Sequence, residues 1–334
     1  MTAANDMKVG LTLWGFSVGV REAVELAGLA ERGGFDSVFV VEGVFSNDAV
    51  TTVAGIAGRT ARIVIGTGIA NIYLRHPVML GIAAAAIDEI SGGRFVLGLG
   101  PNNASLITQA GLSWRDPREA LREATETVRA VFTGKGLPGL RSPRPAAHRI
   151  PVHWAAMALE TCEAAGAHAD GLMLYLCAKD RYRRAVERMR RGAETMGRNP
   201  ADIAVSLLIP TFLHEDLPTA RQAAREFLVH YAGMPHYAKA FEASGFAAEM
   251  DGVRRGLAAG TPAAAMTALS DRLLDEVLLV GPAARCRDQL EAFREAGVDW
   301  ATLGPQRVGS QDLPQQARVV VAELAPSTSR SDPT

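Results

Sequence analysis

The 334-residue chain is poor in several things that usually announce a function. It has three cysteines, Cys162, Cys177 and Cys286, with no CxxC pairing among them, which argues against a disulfide framework or a structural zinc site. They read as small buried hydrophobes. It has no excess of charge: 35 Lys+Arg stand against 36 Asp+Glu, a net of −1, so neither nucleic acid nor an anionic membrane is expected as a standing partner. No apolar run approaches the ~20 residues needed to span a bilayer, and the start, MTAANDMKVG, lacks the basic and apolar regions of a signal peptide. The expectation is a soluble cytoplasmic protein. Only 6% of residues are aromatic.

Familiar catalytic templates are missing too. The chain has no HExxH, no GxSxG elbow and no Walker lysine loop, and GLGPNN (Gly98–Asn103) lacks the third glycine of a dinucleotide fingerprint. His168 and His214 have no partner at ligand spacing, and the interval from His230 to His236 crosses Gly233 and Pro235. No metal site is expected.

What is present is a rhythm. Hydrophobic residues make up 48% of the chain, enough for a large core. Short apolar runs alternate with alanine-rich helical stretches from end to end: Lys8–Leu13, Ser37–Val41, Ile63–Ile69, Phe95–Leu99, Val152–Ala155, Gly171–Tyr175, Ile203–Ile209 and Ala301–Leu303. Eight strands, each eventually followed by a helix, define an α/β fold of the (β/α)8, TIM-like barrel type. Runs such as VFVV, IVIG and VSLLI are continuous rather than alternating, as in a parallel sheet covered on both faces. One domain spanning 1–326 is expected, with a helical insertion at about 210–275 between the seventh and eighth strands and a flexible tail at 327–334. The Pro/Gly/Arg-rich stretch Gly134–Arg149 reads as a mobile loop over the barrel top.

In such a barrel the chemistry belongs to the C-terminal strand ends and the loops after them. Those ends hold glycine, small residues and amides, with few acids or bases and no evident nucleophile, so no catalytic side chain is assigned. A lining of this kind suits a flat cofactor that brings its own reactivity and whose phosphate meets backbone amides.

The motifs at these positions resemble a known family. SGGRFVLGLG (Ser91–Gly100), RHP (Arg75–Pro77) and IGTGIAN (Ile65–Asn71), with AERGGFDSVFVVE, NDA (Asn47–Ala49), HADG (His168–Gly171) and VGPAARCRDQLEAFREAGVDWATLGP, are similar to the luciferase-like monooxygenase superfamily. Within it they look like the coenzyme F420-dependent oxidoreductases, the methylenetetrahydromethanopterin reductase-like subgroup. The resemblance implies a dimer that binds the deazaflavin F420 at the mouth of the barrel. It implies a bulge with a non-prolyl cis peptide at Gly68–Ile69 against the ring, with Thr67, Asn71, Gly100, Asn102 and Asn103 around ring and ribityl chain. The amides of Ala155, Ala156, Met157 and Ala158 would receive the phosphate, and Glu42 would orient the cofactor, the alternative being a surface acid beside a glycine.

Three side chains stay open between substrate pocket and structure. Trp14 and Trp154 are either apolar walls of the mouth or core, and His76 is either a helix cap or a contact to cofactor tail or substrate. His153 points away from the mouth by strand alternation and is not assigned to catalysis, and Arg75 is a candidate partner for a carboxylate. The chain departs from the family pattern in three places. Gly43 stands where sugar-phosphate-oxidising relatives carry a histidine base, GLGPNN lacks its usual following glycine, and the phosphate loop reads Met157-Ala158-Leu159. Three readings follow: hydride transfer between F420 and a small organic substrate, an FMN-dependent monooxygenase using reduced flavin and oxygen, or a non-catalytic cofactor-binding relative.

Overall fold

The computed structural model describes residues 7–141 and 144–326, so the tail expected at 327–334 lies outside the described residues. In chain order the elements are β1 (Lys8–Trp14), α1 (Val20–Arg32), β2 (Ser37–Val41), α2 (Ala49–Ala57), β3 (Val64–Thr67), β4 (Ala70–Asn71), α3 (Pro77–Ser91), β5 (Phe95–Gly100), α4 (Ala104–Gln109) and α5 (Pro117–Phe132). They continue as β6 (Val152–Ala155), α6 (Leu159–His168), β7 (Gly171–Tyr175), α7 (Lys179–Thr195), β8 (Ala204–Leu213), α8 (Leu217–Ala232), α9 (Pro235–Glu242), α10 (Ala247–Ala258), α11 (Pro262–Thr267), α12 (Asp271–Val277), β9 (Leu279–Gly281), α13 (Ala283–Glu295), β10 (Trp300–Pro305) and α14 (Leu313–Glu323).

Eight of these strands form a closed parallel barrel in the order β1, β2, β3, β5, β6, β7, β8, β10, with β10 pairing both β8 and β1. Closure leaves none of these eight as an edge strand, and the helices cover the outside, which explains why the strand sequences are apolar on both faces. Outward residues such as Leu11, Val38, Ile65, Leu97, Leu172, Leu207 and Leu303 are buried in the main core under the helices. Inside the barrel a smaller group packs around Phe39 and Trp300, whose rings lie 5.5 Å apart, and the Trp300 indole donates to Ser37 Oγ at 2.9 Å.

The insertion differs in its limits from the expected 210–275. Strand β8 runs on through Leu213, and the segment ends in a short strand, β9, that pairs with residues 211–213 of β8. Helices α8–α12 between them build a core of their own around Phe212, Leu228, Phe241, Met250 and Leu274. That core is why a segment with no place in the eightfold repeat is ordered.

The placement of Gly134–Arg149 is a correction. A helix returns the chain to the N-terminal end of the strands, so a connection from α5 to β6 lies at the barrel bottom and not over its mouth. His148 N donates to Asp88 Oδ2 near the end of α3 at 2.9 Å, and Arg149 pairs with Asp170, just before β7. Residues 142 and 143 of this stretch are not among those described.

Trp154 is a second correction. Its side chain points outward, its indole donating to Thr125 Oγ1 of α5 at 2.7 Å and stacking on His168 of α6. His153 therefore points inward, edge-on to Trp300 and over Gly171, where an added Cβ would come within 2.5 Å of the imidazole. A strand that is apolar on both faces carries no polarity signal for which residue faces in, and a parity assigned one residue off inverts every side chain.

Candidate functional site

The C-terminal end of β3 is the most elaborated strand end. The strand stops at Thr67, the Gly68–Ile69 peptide is cis, and the chain resumes pairing as β4 against β5. Thr67 is fully buried and donates its hydroxyl to Gly98 O at 2.8 Å. Gly98 is dictated by this approach, because a Cβ there would lie 2.0 Å from Thr67 O. Below the bulge, Met173 of β7 reaches across the barrel, its Cε within 3.6 Å of a Cβ placed on Gly68. Gly100, one layer higher, packs against the Ile69 side chain.

Glu42, next to the end of β2, is 3% exposed, and its carboxylate is fully engaged by the protein. Oε2 accepts from Asn71 N at 2.8 Å, while Oε1 accepts from Arg75 Nη2 at 2.8 Å and from Ala49 N at 3.4 Å. Arg75 also meets Asp48 Oδ2 at 3.0 Å. The backbone joins in: Glu42 N donates to Ile69 O, and Asn102 Nδ2 donates to Glu42 O. Glu42 thus ties β2, the β3–β4 bulge, the start of α2 and the loop before α3 into one corner. It acts on the site by holding its backbone, and Arg75 is its carboxylate partner.

Asn102, with φ of 60°, and Asn103 both lie on the loop after β5. Asn103 caps α4 through Ser105 N at 2.9 Å and reaches Met234 Sδ of the insertion at 3.9 Å, so loop and insertion meet over the mouth. Trp14 ends β1 with its ring against Tyr175, 6.0 Å away, and its indole on Pro305 O. His76 is the cap of α3, its Nδ1 accepting from Val78 N at 3.2 Å. At the expected phosphate loop, Ala156 N is already bonded to Met173 O, and Met157 O accepts from Arg181. Helix α6 begins there with Ala158 as an N-cap that offers no side-chain acceptor, leaving its first amides and its positive end available.

The cysteines supply no nucleophile: burial pushes all three thiols up to about 12, so they stay protonated. Among the described residues no group of three or more His, Cys, Asp or Glu is placed to hold a metal. No described helix is long and apolar enough to cross a membrane.

Two buried donors at this corner lack acceptors. Asn71 is wholly buried, its Oδ1 bonded to Tyr73 N, yet its Nδ2 has no partner; the same holds for Arg75 Nη1. Buried donors are rarely left this way, so the corner fits a ligand that brings acceptors of its own. A planar redox ring with carbonyl oxygens and ring nitrogens is such a ligand.

Sequence reasoning missed the aromatic wall opposite. Tyr175 ends β7, and the insertion adds Tyr231 and Tyr237, with ring centroids 5.5 and 6.2 Å from it. No local signal joins residues 56 and 62 positions apart.

A (β/α)8 barrel with a bulged third strand, a helical insertion after its seventh strand and a glycine-lined mouth defines a class, and the comparisons name it. The chain belongs to the family described as luciferase-like monooxygenase, whose model matches residues 7–300. It is similar to the 5,10-methylenetetrahydromethanopterin reductase of Methanolobus tindarius, 26% identical over 297 residues that cover 85% of this chain and 90% of the relative. In fold it matches the coenzyme F420-dependent tetrahydromethanopterin reductase of Methanopyrus kandleri, with a TM-score of 0.78 at 20% identity over 95% of this chain and 98% of that one. A monooxygenase from Streptomyces bottropensis matches with a TM-score of 0.68 at 25% identity, over 95% and 98% of the two chains.

Proposed function

We propose that the protein is an oxidoreductase that transfers a hydride between deazaflavin coenzyme F420, held at the barrel mouth, and a small organic substrate. The observation that carries the reading is the pair of buried donors without acceptors, Asn71 Nδ2 and Arg75 Nη1, on the corner that Glu42 fixes at the end of β3. The kinship with a methylenetetrahydromethanopterin reductase along most of both chains supports the choice of a deazaflavin.

The bound cofactor supplies the hydride chemistry, and the protein's groups position it. Thr67, Gly68, Ile69 and Asn71 form the surface against which the ring lies, Gly100, Asn102 and Asn103 flank it, and the free amides opening α6, from Met157 and Ala158 onward, face the phosphate. With Gly43 beside Glu42, the corner has no histidine base, so sugar-phosphate oxidation is not part of the proposal.

A second reading, a monooxygenase using reduced FMN, is favoured by the structural likeness to a monooxygenase. Titration of the purified protein with F420 and with FMN, followed by hydride-transfer assays on a substrate panel, separates the two. Saturable F420 binding is the expected result; tight binding of FMN alone overturns the proposal, and binding of neither points to a non-catalytic relative. A homodimer belongs to the same proposal. Met79, Ile82 and Ile90 of α3 are 60%, 50% and 56% exposed along one helix, an apolar stripe suited to a second copy. Light scattering of wild type and Ile82→Lys tests it, with a monomeric wild type as the refuting outcome.

A further inference from the structure

The proposed function leaves unused an aromatic wall on the far side of the mouth. Met173 lies below the β3 bulge, and Tyr175, two residues on, projects from the same inner face of β7 one layer nearer the mouth. The insertion closes over it: Tyr231 of α8 and Tyr237 of α9 meet Tyr175 edge-on, Tyr231 and Tyr237 are 5.0 Å apart, and Phe227 lies 4.8 Å from Tyr231. Trp14 completes the wall from β1. The imidazoles of His230 and His236 pack against the rings of Tyr231 and Tyr237, 5.5 and 4.5 Å away.

Within this apolar wall one polar atom stands out. The Tyr175 hydroxyl is buried with no hydrogen bond, and the neighbour packed edge-on to its ring, 5.5 Å away, is Tyr231, which carries a hydroxyl of its own. Tyr231 itself is only partly covered. A buried hydroxyl without an acceptor is costly unless the working state supplies one.

We infer that Tyr175 and Tyr231 form an oxyanion-binding, proton-donating pair for a planar conjugated carbonyl substrate seated against the aromatic wall. When such a substrate accepts a hydride, the displaced π electron pair collects on its carbonyl oxygen. Tyr231, the catalytic residue, gives its phenolic proton to that oxygen, forming the O–H bond as its own breaks. Tyr175, the positioning residue, donates its hydrogen bond to the resulting Tyr231 phenolate, which then recovers a proton from water. The two-electron donor is the reduced deazaflavin of the proposed function, on which the catalytic half of this inference rests; the binding half does not depend on it.

The test uses the cofactor-free protein and two probes of one shape, 4-nitrophenolate and nitrobenzene, followed by absorbance and by tryptophan fluorescence. Wild type is expected to hold the phenolate about 10-fold or more tighter than nitrobenzene, the size of one hydrogen bond to a charged group. Tyr231→Phe levels the two affinities while keeping that for nitrobenzene, which shows the wall intact. Tyr175→Phe lowers the preference in part, and Tyr237→Phe leaves the ratio unchanged. Equal binding of both probes by wild type, or a preference that survives in Tyr231→Phe, overturns the inference. Loss of the preference in a protein that still binds F420 removes the tyrosine pair alone; a retained preference in a protein that does not bind F420 removes the deazaflavin and leaves the pair.

Discussion

Replacing Glu42 by Gln tests how the corner is held. The carboxylate is 3% exposed and receives two backbone N–H groups and one guanidinium. Gln keeps the shape but removes the charge and turns one acceptor into a donor, which must then face Arg75 or Asn71 N. Removing one partner of a fully buried pair costs about 3–5 kcal/mol. Arg75 is 22% exposed and retains Asp48, itself half-exposed, so the expected loss is nearer about 2 kcal/mol. With an unfolding entropy of about 2.1 cal/mol/K per residue over 334 residues, that lowers Tm by about 3 °C. F420 affinity is expected to fall as well, by about 10-fold or more, because Asn71 and the bulge lose their anchor. Thermal denaturation and cofactor titration of E42Q, R75M and the double variant close a mutant cycle. A coupling energy near zero between Glu42 and Arg75, or full cofactor affinity in E42Q, refutes the reasoning.

Other expectations follow from the same structure. Burial lowers His153 to about 4, so the unfolded chain takes up a proton below about pH 6.5 that the native state refuses until about pH 4. This contribution to stability is complete above pH 6.5 and falls away by about 3 kcal/mol as the pH drops to 4; His153→Phe should flatten that part of a denaturant-stability profile, and an unchanged slope counts against it. Gly98→Ala forces a methyl into Thr67 O and should cost about 3 kcal/mol or more together with cofactor binding, read by urea denaturation and titration. Thr125→Val leaves the fully buried Trp154 indole without its acceptor, an expected loss of about 1–3 kcal/mol by urea denaturation with cofactor binding unchanged; a loss of binding would return Trp154 to the site.

Much of the architecture was legible because it rests on local pattern. All eight barrel strands coincide with the apolar runs to within a few residues, since a strand covered on both faces must be apolar throughout, whatever it pairs with. The Gly68–Ile69 corner was legible through resemblance, motif by motif. Side-chain facing was not: Trp154 and His153 exchange places relative to expectation because a doubly covered strand hides its parity. The loop from 134 to 149 was misplaced because its composition speaks of irregular chain, while its end of the barrel is set by whether a helix or a strand precedes it.

The sequence by itself determined the class of fold, the near-neutral charge and the scarcity of reactive groups at the strand ends, because each depends on residue type and short-range order. Tertiary structure alone decided that Glu42 is a tie between four segments and not a free carboxylate, and that Tyr175 and Tyr231, 56 residues apart, pack against each other in one wall of the mouth. Such contacts arise where barrel closure and the core of the insertion bring distant segments together, and no periodicity within either segment records them.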